Sequence, residues 1–157
     1  VTAYSAQAPY RTDEPFSVPL WGDQPRFHRA DLHFHGVDHS GDSYEGRVFL
    51  DNPDAGPSTP RELESGYAGS FNVFGHGPCF GDEGHCEVPA GPIHPFDYRR
   101  PHPLNRQLMV VTITEGLLHR IDAGATEVSV TVVPTNDFDE DPGDVLDFKR
   151  LSLITYD

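Results

Sequence analysis

Long apolar runs are missing from this chain. It has no stretch of about 18 apolar residues, the length a helix needs to cross a bilayer, so no membrane-spanning helix is expected. Basic residues are scarce: 11 Lys and Arg stand against 25 Asp and Glu, giving a formal net charge of -14. A chain this acidic repels nucleic acid and anionic membrane surfaces, and it suits cations or a basic partner. Sulfur is scarce as well, with two cysteines (Cys79 and Cys86) and one methionine. Two thiols do not fix the redox compartment.

Several signatures are absent too. There is no glycine-rich phosphate loop and no nucleophile elbow of the G-x-S-x-G type. The acidic run 136–144, NDFDEDPGD, lacks the spacing of an EF-hand and reads as a solvated loop. The first residues, VTAYSAQAPYRTDEPF, show neither a basic n-region nor an apolar core. No signal peptide is therefore visible, which leaves the cytoplasm as the default compartment. Val1 reads equally as an alternative start or as the first residue of a trimmed form.

What is plentiful is glycine and proline, fifteen of each, which predicts many turns. The length of 157 residues fits one domain with a core of its own. Residues 1–25 carry Pro9, Pro15, Pro19 and Pro25 and read as an extended arm, with a short edge strand at 16–20 and Trp21 anchoring it on the core. Residues 26–157 read as a single domain.

In RFHRADLHFHGV (26–37), Ala30, Leu32, Phe34 and Gly36 alternate with Asp31, His33, His35 and Val37, the period of a half-buried strand. The spacing predicts an antiparallel hairpin between 32–37 and 44–50. Further strands are expected at 67–74, 107–113, 127–133 and 145–156, the last with a bulge. A short helix, TEGLLHRIDAG, starts at Thr114 as cap and ends at Gly124. Loops fill 51–65 and 76–102. About seven strands, long loops and one helix point to an all-β antiparallel sandwich, with a cupin-like barrel as the alternative.

The chemistry gathers in two stretches. LHFHGVDHS carries His33, His35 and His39, and YAGSFNVFGHGPCFGDEGHC carries His76, Cys79, His85 and Cys86. Imidazole and thiolate suit copper or zinc. His33 and His35, two apart on a strand, share a face, and His76 supplies a third imidazole if the two stretches meet. The competing readings stay open: solvent-facing histidines in the first stretch, and a Cys79–Cys86 disulfide in the second. His28, His94, His102 and His119 look isolated, and Tyr98, Arg99 and Arg100 form a local basic spot.

Three segments together resemble the C-terminal β-domain of plant polyphenol oxidases and the related domain of molluscan haemocyanins. They are YAGSFNVFGH (67–76), LHFHGVDHSGDSYEGRVFLDNPDA (32–55) and ITEGLLHRIDAGATEVSVTVVP (113–134). The resemblance runs over 32–156. It implies a domain that is not catalytic itself. In those type-3 copper proteins and in tyrosinases the dicopper site lies in a separate helical bundle, with three histidines on each copper, and the β-domain covers it and restrains activity. Cysteine motifs in some members are linked to copper loading. This chain lacks such a bundle, and its H-x2-C-x5-H-C and H-x-H-x3-H clusters depart from the plant pattern. The expectation is a copper-binding accessory, shielding or copper-delivery domain whose partner is a tyrosinase-like catalytic protein. The alternatives are a small mononuclear oxidase or oxygenase acting on a phenolic or amino-acid-derived substrate, and an interaction domain without metal.

Overall fold

The computed structural model describes residues 4–5, 9–77, 95–96, 98 and 104–157. The long strands are β1 (Arg29–Val37), β2 (Tyr44–Leu50), β3 (Tyr67–Val73), β4 (Gln107–Thr112), β5 (Val130–Thr135) and β6 (Arg150–Tyr156). The helix α1 (Thr114–Asp122) stands between β4 and β5. Sheet I runs in the order Tyr10–Arg11, β5, β2, β3, and sheet II in the order β6, β1, β4. Every pairing is antiparallel. Neither sheet closes on itself, so the architecture is the all-β sandwich-like one and not the barrel.

Alternation decides which side chains meet between the sheets. Leu32 and Phe34 point inward from β1, Val48 and Leu50 from β2, Val111 from β4, and Val130 and Val132 from β5. Phe34 is the hub, with its ring 4.6 Å from Phe71 of sheet I and 5.3 Å from Phe148, edge-on to the latter. Leu117 and Ile121 of α1 complete this core. Gly46 lies directly across from Phe71 on the paired strand. A Cβ there would sit 2.4 Å from the Phe71 ring.

A second, smaller cluster occupies the outer face of sheet I. Phe49 and Val133 pack there with Ala55 and Tyr67. The loop after β2 is held over that face by Asn52, whose side-chain amide donates to the Ser65 carbonyl at 2.7 Å, and by Arg47, which donates to the Pro57 carbonyl at 2.9 Å. Arg47 is almost fully buried and is also paired with Glu45 and Asp139. The acidic loop is thus tied to the sheet at Asp139, where the sequence suggested only solvated charge.

Three local expectations are corrected. Strands β1 and β2 do not form a hairpin: β1 pairs with β6 and β4, and β2 with β5 and β3. Both carry an apolar inner face, and facing each other across the core buries both faces where side-by-side pairing would not. Trp21 is 70% exposed rather than anchored on the core. It sits on a tight turn between Leu20–Trp21 and Gln24–Pro25, with the Arg26 guanidinium 5.4 Å from its ring. Thr114 does not cap the helix with its side chain. Its hydroxyl accepts from the Ala30 amide at 3.0 Å and so fastens α1 to β1.

Two predictions follow from packing and charge. Gly46→Ala forces the Phe71 ring aside, an overpacking cost of about 1–3 kcal/mol, read as a fall in Tm of roughly 3–10 °C in calorimetry. The second concerns acid. Burial pushes Asp31, Asp38 and Glu45 upward, but hydrogen bonds and nearby guanidinium groups outweigh it and leave all three below their usual range. Asp139 is lowered directly by its hydrogen bond to Arg47. Each folded pKa is therefore below its unfolded value, about 3.9 for Asp and 4.3 for Glu, and the unfolded chain protonates first as pH falls. Denaturant titrations should show little loss from about pH 7 to 5 and a steep loss below about pH 4. A gain in stability below that pH would mean that relief of net-charge repulsion dominates instead.

Candidate metal centre

β1 ends in a turn that is tied down at both ends. Gly36 takes the left-handed conformation, with φ at 68°. The Asp38 amide donates to the Asp147 carbonyl at 2.8 Å, and the Asp38 carboxylate accepts from the Ser40 hydroxyl at 2.7 Å. This geometry delivers His39 to a buried position, 7% exposed.

The segment leaving β3, Phe74–Gly77, lies against that turn. The Gly75 amide donates to the Ser43 hydroxyl at 2.9 Å. The His76 amide donates to the His39 carbonyl at 3.0 Å, and the Gly77 amide to the Gly41 carbonyl at 2.9 Å. The approach is so close that only glycine fits beside His76. A Cβ on Gly75 would lie 2.2 Å from the Gly41 carbonyl oxygen, and one on Gly77 would lie 2.9 Å from the same residue's backbone.

The two imidazoles then meet. Nδ1 of His39 is 3.3 Å from Nδ1 of His76, and the rings stand at 78° with centroids 5.0 Å apart. Nε2–H of His39 donates to the Asn105 carbonyl at 2.8 Å. A carbonyl only accepts, so this bond fixes the proton on His39 Nε2 in the neutral ring, and Nδ1 of His76, 3.3 Å from both the His39 carbonyl oxygen and His39 Nδ1, donates between the two. The segment carrying Asn105 is clamped by Arg106, which donates to both Asp147 oxygens, at 3.0 and 2.8 Å, and to the Gly36 carbonyl at 2.9 Å.

His33 and His35 stand elsewhere, on the outer face of sheet II, with ring centroids 6.0 Å apart. His33 lies in register between Val110 and Ser152. Arg150 donates toward Nε2 of His35 at 3.3 Å. Partial desolvation, Arg150 and His33 all hold the His35 imidazole below its ordinary pKa.

Among the described residues, the histidines of the two stretches thus form two pairs. No three His, Cys, Asp or Glu side chains among them make a metal-holding group. Such an arrangement does not fit a dicopper centre with three histidines per ion, and no step is derived through one. Cys79, His85, Cys86, His94, His102, Arg99 and Arg100 lie outside the described residues. His28 donates its backbone amide to the Tyr156 carbonyl at 2.9 Å. His119 is on α1, half-buried, and Tyr98 is 87% exposed.

Sequence reasoning did not find Asn105, Arg106 or Asp147, since a carbonyl and a distant ion pair leave no motif. Gly75 and Gly77 were missed too, although a histidine between two glycines is a signal of close backbone approach that could have found them.

No known family's sequence profile matches the chain, and no curated protein sequence does. Solved structures are similar. A recombinantly expressed latent aurone synthase, a polyphenol oxidase, superposes with a TM-score of 0.52 at 16% identity, covering 99% of this chain and 26% of that one. The latent enzyme from its natural source gives 0.52 at 15% identity, covering 94% and 24%. The chain thus spans about a quarter of the length of these polyphenol oxidases, and at this identity the likeness is one of fold.

The glycine contacts yield a prediction. Gly75→Ala pushes Phe74–Gly77 off the 38–43 turn while leaving both sheets intact. Hydrogen exchange at the His76 and Gly77 amides should quicken by at least about tenfold, equivalent to about 1.4 kcal/mol of lost protection. Unchanged exchange there would contradict the docking of this segment.

Proposed function

We propose that the chain is an accessory domain for a type-3 copper, tyrosinase-like catalytic partner, on which it docks to shield the copper site or hand over copper. The observation that carries this reading is the fold. Nearly the whole chain superposes on about a quarter of a latent polyphenol oxidase.

The two sheets differ in a way that supports a docking role. Sheet I covers its own outer face with the loop after β2. Sheet II has no such cover among the described residues, and it presents Leu108 at 52%, Val110 at 45% and Tyr156 at 39% exposure. Beside them lie His33, His35, Arg150 and Arg29. Asp31, the one carboxylate in this register, is buried and paired with Arg29 at 2.8 Å. On a chain of net charge -14 this face is apolar at its centre, and beside the Arg29–Asp31 pair it carries Arg150. It fits a partner surface with an apolar centre and acidic residues at its rim.

Shielding and delivery share the docking step. The test is oxygen consumption by a tyrosinase-like protein that lacks such a domain, with a diphenol substrate, titrated with this chain. The rate of the copper-loaded enzyme should fall severalfold, or the metal-free enzyme should gain activity from the copper-loaded chain. Leu108→Asp/Val110→Asp, at exposed positions, should weaken either effect at least about tenfold, the size of a disrupted hot spot. No change in rate and no transfer of copper would overturn the reading.

A further inference from the structure

We propose that His39 and His76 form a site for a single copper(II) or zinc(II) ion, each ligating through Nδ1. The site stands on its own geometry and does not depend on the docking reading.

Distance is the first argument. Two imidazole nitrogens, each about 2.0–2.1 Å from one tetrahedral ion, are about 3.3–3.4 Å apart. The two Nδ1 atoms are 3.3 Å apart. Without an ion, Nδ1 of His76 also stands 3.3 Å from the His39 carbonyl oxygen and carries the proton it donates there, so ligation moves that proton to His76 Nε2. The spacing of the pair suits two ligands sharing an ion.

Preorganisation is the second. A ligating histidine ordinarily donates its other ring N–H to a carbonyl or carboxylate, which fixes tautomer and ring direction. His39 does so to Asn105 at 2.8 Å. The His39 Nδ1 lone pair therefore already faces His76 Nδ1 before any ion arrives.

Backbone design is the third. Gly75 and Gly77 flank His76 where any Cβ would collide with the backbone of the opposing turn. Three hydrogen bonds, from the amides of Gly75, His76 and Gly77, set the segment in place. This construction fixes the position of one side chain, His76, relative to another, His39. Neutral imidazole nitrogens select borderline ions such as copper and zinc over calcium or magnesium, which prefer oxygen. Two protein nitrogens leave other coordination positions for further ligands, so the ion is exchangeable rather than sealed.

The test uses the full chain, stripped with chelator and titrated with zinc or copper by calorimetry. About one ion per chain should bind. His39→Ala and His76→Ala should each weaken it at least tenfold, while His33→Ala/His35→Ala should leave it unchanged. Should His39→Ala fail to fold, nitrogen NMR of the unmodified chain still decides. Zinc should shift the Nδ1 resonances of both His39 and His76 and leave the proton on His39 Nε2. Binding that survives both single variants, as uptake by the acidic surface or by thiols would, overturns the proposal. So does zinc binding that leaves both Nδ1 resonances in place.

Discussion

Phe34 has to be buried, and the layout of the molecule depends on where that puts β1. Its ring lies against Phe71 and Phe148 in the interior between the sheets. Burying a phenyl group this fully contributes about 1.5–3 kcal/mol. Because strand side chains alternate, a slip of one residue would expose Phe34 and drive His33 and His35 into the core. The register of β1 is therefore held by its inner face. Everything the strand carries on its other face, and the turn at its end, follows from that choice. His33 and His35 go outward, and His39 goes to the end of the sandwich, where the chain leaving β3 meets it.

The two sheets then use their outer faces differently. On sheet I a buried guanidinium would be costly without partners. Arg47 is matched by Glu45, the Pro57 carbonyl and Asp139, and it binds two loops to the sheet at once. Asp139 reaches it from a left-handed backbone, φ 58°, steadied by Asn136, whose side-chain oxygen accepts from the amides of Phe138 and Glu140. That face is closed. The outer face of sheet II keeps Leu108, Val110 and Tyr156 at the surface among the described residues. One face serves stability, and the other has no such cover among the described residues.

Much of this was legible in the sequence. The alternation in 30–35 marked Ala30, Leu32 and Phe34 as the inner face of β1 because burial, not local propensity, determines it. Val37, which the same period put on the other face, is buried, since the pairing with β4 shifts register between Phe34 and Val37. The sandwich class followed from the same signal. Pairing was not legible in the same way. The short 38–43 connection suggested a hairpin, but it arches between sheets, since two strands with one apolar face each gain more by facing than by lying side by side. Trp21 was misread because hydrophobicity alone does not distinguish a core anchor from a turn-borne surface ring. At the candidate site, the cluster of histidines was visible but its partition was not. His33 and His35 pair by strand period, whereas His39 and His76 pair through a turn, two glycines and a carbonyl 66 residues away in the chain. Such long-range backbone contacts leave no pattern in a single sequence.

The central claim is that the fold brings His39 and His76 to one ion. X-ray absorption on the chain loaded with one equivalent of copper or zinc tests it most directly. The account predicts two imidazole ligands at about 2.0–2.1 Å, both lost when His39 and His76 are replaced together. A coordination shell with no imidazole scattering, or one unaltered by that replacement, would contradict it.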